Sequence, residues 1–168
     1  LVTHISAAVG ALTWMSVEWI KTGKPTVIGI ATGMVAGLAT ITPASGTVGP
    51  QGALLIGFSA GLVCFYATQI IKGYFKIDDS LDVFPVHGGG GILGILMLAF
   101  IGKPDGFLGA GSSGFDPSVL EQFMIQLQGV VIICLWTFAF SWLALKVTGL
   151  ITPIRVDEQS EFEGLDIT

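Results

Sequence analysis

A single histidine interrupts a long apolar stretch. Between Val83 and Gly102 the only ionisable side chain is His87, set in Asp82-Val83-Phe84-Pro85-Val86-His87-Gly88-Gly89-Gly90-Gly91-Ile92-Leu93-Gly94. Lipid solvates an imidazole poorly, so such a residue faces a pathway or a partner. A neutral imidazole accepts a proton at one nitrogen while donating from the other, which suits it to relaying a polar solute through a dry passage. The four glycines after it remove side chains and let backbone approach closely. The plain alternative is a buried histidine hydrogen-bonded to a neighbouring helix. Catalysis has less support, because no nucleophile–base pair, paired carboxylates or phosphate loop falls at a plausible site. Cys64 and Cys134 lack metal-ligand spacing and read as small apolar packing residues.

The elements that must position His87 follow from charge. Hydrophobic residues make up 52% of the 168 and charged residues 11%, against roughly 25% charged in soluble domains. No Asp, Glu, Lys, Arg or His occurs from Pro25 to Ile71. A helix crosses the bilayer core in roughly 20 residues, so this run holds two spans. The turn between them is Thr42-Pro43-Ala44-Ser45-Gly46-Thr47-Val48-Gly49-Pro50. A further uncharged run extends from Gln122 to Leu145. The pattern predicts an all-α polytopic membrane protein with five transmembrane helices, near Leu1–Ile20, Thr26–Ala44, Gln51–Ile71, Asp82–Ile101 and Val119–Lys146. Residues 1–148 form the membrane bundle and 149–168 a tail. The first span has no basic leader and no small-residue cleavage site, so it does not read as a signal peptide. The chain begins at Leu1 and not at Met, which leads us to expect a segment of a longer protein.

Lys21 and Lys24 separate spans one and two, Lys72 and Lys76 separate three and four, and Lys146 and Arg155 follow five. Five spans put these on one side and leave Lys103 on the other. The excess of basic residues marks the cytoplasmic side, so the tail is expected there and the loop from Gly102 to Ser118 outside. Asp157, Glu158, Glu161, Glu163 and Asp166 make the tail acidic, consistent with a solvated, poorly ordered end. The net charge of −5 gives no reason to expect nucleic acid. Small residues at spacing four (Gly29, Gly33 and Gly37; Gly57 and Gly61; Gly90 and Gly94) predict close helix packing.

Taken together these segments resemble a family. The run Asp82-Val83-Phe84-x-Val86-His87-Gly88 with its following glycines is similar to the tenth helix of ammonium transporters of the Amt/MEP family. Thr13-Trp14-Met15, Glu18-Trp19, Gly23-Lys24-Pro25-Thr26, Gly33-Met34-Val35-Ala36-Gly37-Leu38, Ile41-Thr42-Pro43-Ala44, Asp78-Asp79-Ser80-Leu81-Asp82 and Glu163-Gly164-Leu165-Asp166 follow the family's order along essentially the whole chain. Pro85 departs from the small residue often found at that position.

The resemblance implies that the five spans are the seventh to eleventh helices of an eleven-helix fold, most of its second inverted repeat. Sites in such folds lie near mid-membrane, where the repeats meet. It implies ammonium or ammonia as substrate and no cofactor. It further implies a surrounding lipid bilayer, a homotrimer as the assembly and a PII-type regulator as a cytoplasmic partner. His87 matches the second pore histidine and is expected in the inner part of the protein. Val83 and Val35 would line the lumen, and Thr42 would be a polar contact near its inner half. Asp82 would stabilise the start of span four, with Gly88 beside the pore. His4 reads as a packing or interfacial residue. Arg155 and Glu163 to Asp166 would dock on the cytoplasmic face. The alternatives are an ammonium sensor or a Rhesus-type gas channel.

Overall fold

The computed structural model describes residues 1–102 and 119–164, and every element among them is helical. Helix α1 (Val2–Thr22) stops at Gly23, whose left-handed φ of 83° lets its N–H reach the Trp19 carbonyl. Helix α2 (Val27–Ile41) starts where the Thr26 hydroxyl accepts the Gly29 N–H at 2.9 Å, a side-chain cap. It tightens into a 3-10 turn, Thr42–Ala44, around Pro43. Helix α3 (Pro50–Gln69) opens on proline, which lacks only an N–H that has no helical partner there. It runs on as a π-turn, Ile70–Tyr74. A second π-turn, Phe84–Gly89, leads into α4 (Gly90–Ile101). Helices α5 (Val119–Ile151) and α6 (Glu158–Glu163) follow.

Among the described residues, four segments are long and apolar enough to cross a membrane: Val27–Ala44, Pro50–Tyr74, Phe84–Ile101 and Val119–Ile151. The fifth expected span, α1, has the length at 21 residues but is more polar, carrying His4, Ser6, Thr13, Ser16, Glu18 and Lys21. That polarity is used in packing. The chain divides into two compact units, Leu1–Leu127 and Gln128–Thr168.

In the first unit α1 lies in a groove cut by glycines. A Cβ built on Gly37 would strike the Ser6 carbonyl oxygen, and one on Gly33 would strike the Trp14 Cβ. On α3, a Cβ at Gly57 would come within 2.6 Å of the Ser6 oxygen and one at Gly61 within 2.7 Å of the Thr13 Cβ. The contact order makes α1 antiparallel to α2 and parallel to α3. Ser6, fully buried, donates its hydroxyl to the Gly37 carbonyl at 2.9 Å. The glycine spacing thus serves backbone approach, as expected where helices gain no hydrophobic drive from association. Trp14 and Phe65 meet edge to face at 5.3 Å between ring centres.

One end of this unit gathers charge. The Glu18 carboxylate accepts from the Thr26 N–H at 3.0 Å and the Thr26 hydroxyl at 2.8 Å, tying α1 to the start of α2. Lys21 lies 5.2 Å over the Tyr66 ring, and Lys72 pairs with Asp82 at 2.7 Å. Lys21, Lys24, Lys72 and Lys76 therefore share an end. Lys103 and the rest of its loop to Ser118 lie outside the described residues.

Helix α5 runs from the first unit into the second, where Trp136 and Phe140 stack with ring centres 4.1 Å apart. Cys64 is buried in the first unit's core, in keeping with the packing role expected of it. Within the tail, Glu158–Glu163 form a short helix. Asp157 caps α6 by accepting the Ser160 N–H at 2.9 Å, and Arg155 grips Glu161 through two nitrogens. These local bonds hold a short helix that composition alone does not reveal. Leu165 and Asp166 lie outside the described residues.

Candidate functional site

His87 belongs to the π-turn that opens α4, a helix form often found at functional sites. Pro85 and Val86 are its buried anchors, Val86 packing with Trp14, Ala36, Ala60, Cys64 and Phe65. That burial turns Val83, Phe84 and His87 outward. Val83 is 52% exposed and Phe84 62%, and His87 is exposed with them. No described element of the first unit covers the face of His87.

Its depth follows from glycine contacts. A Cβ at Gly90 would lie 2.8 Å from the Thr40 hydroxyl and 3.8 Å from the Ala36 carbonyl, and one at Gly94 would strike the Thr40 carbonyl. Helix α4 therefore runs parallel to α2, and His87, one turn before Gly90, is level with the middle of α2. Val35 is at that level and exposed. His87 and Val35 thus lie on uncovered surface near mid-span, and Val83 is exposed about one turn nearer the lysine end.

Thr42 is exposed as well, but it sits toward the end away from the lysines. On the charge count that is the outer half, so its expected place near the inner half is corrected. The reason is direction: α2 runs away from Lys24. The Thr42 proton is committed to the Leu38 carbonyl at 2.7 Å, leaving oxygen lone pairs free to accept. His4 is exposed on the first turn of α1. Since Gly10 packs on Gly33 and Gly37, His4 lies about two turns from the level of His87.

Asp82 does not cap the helix start. Both oxygens of Asp79 accept backbone N–H groups there, Oδ1 from Val83 and Oδ2 from Phe84, each at 2.9 Å. Asp82 instead adopts a left-handed φ of 56°, which acids tolerate better than most residues, and turns its carboxylate to Lys72. Three aspartates within five residues hid this division of labour; only the geometry separates them. The cap matters because four successive glycines weaken the segment by about 1 kcal/mol each relative to alanine, and a side-chain cap returns about 0.5–2 kcal/mol. Gly88 is half-buried, and a Cβ there would crowd the Phe84 ring at 3.2 Å. Among the described residues no three of His, Cys, Asp and Glu converge in a metal-binding arrangement.

The whole chain, residues 1–168, matches the family model described as Ammonium Transporter Family. It is 39% identical over 169 residues to the "Ammonium transporter Amt1" of Archaeoglobus fulgidus, covering 100% of this chain and 42% of that one. It is 36% identical over 161 residues to an "Ammonium transporter" of Aquifex aeolicus, covering 96% and 37%. The structure superposes on Candida albicans Mep2 with a TM-score of 0.79 at 30% identity, covering 95% of this chain and 36% of that one. It superposes on a "Sensor Amt Protein" with a TM-score of 0.86 at 27% identity, covering 99% and 40%. The chain spans about two fifths of the length of the curated relatives it matches.

Proposed function

The chain belongs to the ammonium transporter family, and on that premise we propose that it supplies one wall of a pore that conducts ammonium as ammonia. One observation carries this reading. His87 is the only ionisable side chain in its span, lies level with the middle of α2, and is exposed, as are Val83 and Val35. The residues that would complete the passage correspond to the remaining length of the relatives. The five spans are then the seventh to eleventh helices, and the tail is cytoplasmic with Lys21, Lys24, Lys72 and Lys76.

Desolvation drives the mechanism. A bare ammonium ion in a low-dielectric lumen would cost tens of kcal/mol by Born reasoning, so the charged form does not pass an apolar wall unaided. Neutral ammonia has lone-pair and N–H groups that an imidazole can match as donor and acceptor. His87 would hold ammonia by such a bond, partnered by a second imidazole from the facing wall. Val83 and Val35 would exclude water, and Thr42 would offer an acceptor nearer the outer mouth. Asp82 and Gly88 support the segment without touching substrate. The functional form is a homotrimer, with a PII-type protein as a regulatory partner at the cytoplasmic face, and the role is transport with no chemical conversion.

The test is a chimaera in which residues 1–168 replace the matching segment of the Archaeoglobus fulgidus relative. Ammonium-dependent flux in liposomes is expected, and a folded chimaera without flux contradicts the proposal. Residues 1–168 alone should give no flux above empty vesicles. The similarity to the "Sensor Amt Protein" favours a second reading, an ammonium-sensing module, for which the folded chimaera would bind ammonium without conducting it.

A further inference from the structure

Two π-turns bracket the strap 75–82, and one ion pair ties them together. Lys72 lies inside the first π-turn, Ile70–Tyr74, and Asp82 stands immediately before the segment that carries His87. Their 2.7 Å contact is half-shielded, with the Asp82 side chain only 14% exposed. Lys72 also reaches the Ser80 carbonyl at 3.5 Å. The strap turns through left-handed residues near both ends, Lys76 with φ 52° and Asp82 with φ 56°. From its middle, Asp79 holds the Val83 and Phe84 amides in a two-pronged grip.

We propose that this strap is a clamp that sets the rotational register of the His87 segment, with Lys72, Asp79 and Asp82 as positioning residues. The inference deepens the pore reading of His87 and rests on it for its functional consequence. The physical need is specific. Pro85 cannot donate a backbone hydrogen bond, and Gly88 to Gly91 have little intrinsic preference for helix. A π-turn differs from an α-helix by one residue per turn in its hydrogen bonding, so relaxing it to α would swing His87 by about 100° around the axis. Val86 in the core fixes one side of the segment. The strap fixes the start, because a carboxylate holding two successive amides permits one register of the first turn. Lys72 carries that constraint back to α3, which is anchored on α1 through Gly57 and Gly61.

The experiment uses the full-length chimaera described above and two readouts. Hydrogen exchange of peptides covering residues 83–91 reads the clamp without reference to transport. The ratio of ammonium to methylammonium flux reads the placement of His87 and is independent of the amount of folded protein. Asp79→Ala and Lys72→Met should each speed exchange in that stretch by about tenfold, the range expected for a lost cap or tie, and shift the flux ratio at least twofold. Lys72→Arg keeps the charge and should restore both values, while Asp82→Asn, which tolerates the left-handed backbone, should behave like Lys72→Met. Unchanged exchange in Asp79→Ala and Lys72→Met overturns the clamp, and a flux ratio equal to wild type despite faster exchange overturns its role in placing His87. Faster exchange in a chimaera that carries no ammonium flux would retain the strap as a clamp of the segment and refute the pore reading.

Discussion

Replacing Gly37 by alanine should loosen the three-helix core measurably. The new methyl would fall on the Ser6 carbonyl oxygen, with the Ser6 carbonyl carbon at 2.8 Å and the Ala7 Cα at 3.0 Å. All three are main-chain atoms of a neighbouring helix, so no side chain can swing aside. Forced overpacking of this kind costs about 1–3 kcal/mol, and the better helix propensity of alanine returns about 1 kcal/mol. The obstruction is backbone on backbone, which places the clash toward the upper end and leaves a net loss of about 2 kcal/mol. Gly129 is the control. Nothing lies within 4 Å of a Cβ built there, so Gly129→Ala should be neutral or gain up to about 1 kcal/mol from propensity. Reversible unfolding of the detergent-solubilised chain by dodecyl sulfate titration, followed by circular dichroism, separates the two variants. Equal stability of Gly37→Ala and Gly129→Ala would refute the packing argument, because helix propensity alone treats the two positions alike.

Ser6→Ala removes the buried bond to the Gly37 carbonyl but leaves that carbonyl in its own helix, so the same titration should show a loss of only about 0.5–1 kcal/mol. The tail helix should respond to acid. Hydrogen bonds from the Ser160 amide and hydroxyl hold the Asp157 carboxyl below its ordinary range, and the Arg155 side chain does the same for Glu161. Both folded values are depressed, so the order they confer is present above the usual carboxylate range and lost as pH falls through the lowered values. Amide spectra of Ser160 should therefore report intact α6 at neutral pH and melting below about pH 4, and Arg155→Ala should melt it at higher pH than the parent. A tail whose spectra ignore both changes would count against the Arg155–Glu161 clasp.

Much of this was readable from uncharged runs. Span two was expected over Thr26–Ala44 and is found at Val27–Ala44; span three, expected over Gln51–Ile71, is found at Pro50–Tyr74. Charge marks such boundaries because each ionisable group is costly in the bilayer core. The glycine spacing likewise foretold close backbone contact, which the structure bears out at Gly33, Gly37, Gly57, Gly61 and Gly94. What stayed hidden has no signature in composition. A π-turn differs from an α-turn only in its hydrogen-bond register, so neither Ile70–Tyr74 nor Phe84–Gly89 could be read off. The choice between Asp79 and Asp82 as the cap depended on a backbone angle. Helix α6 rests on two local clasps within a segment whose charge argued for disorder. His87 stands out in the sequence as the ionisable residue of its span, but its exposure depends on what covers its face, which no property of residues 83–102 encodes.

The most direct test of the pore reading compares ammonium and potassium flux through the chimaera carrying His87, His87→Ala, His87→Glu or His4→Ala at matched reconstitution. The pore reading predicts that His4→Ala matches the parent, that His87→Ala alters ammonium flux strongly, and that His87→Glu admits potassium by placing a negative charge beside the lumen. Four proteins that conduct ammonium alike and exclude potassium alike would make His87 a packing residue and contradict the assignment.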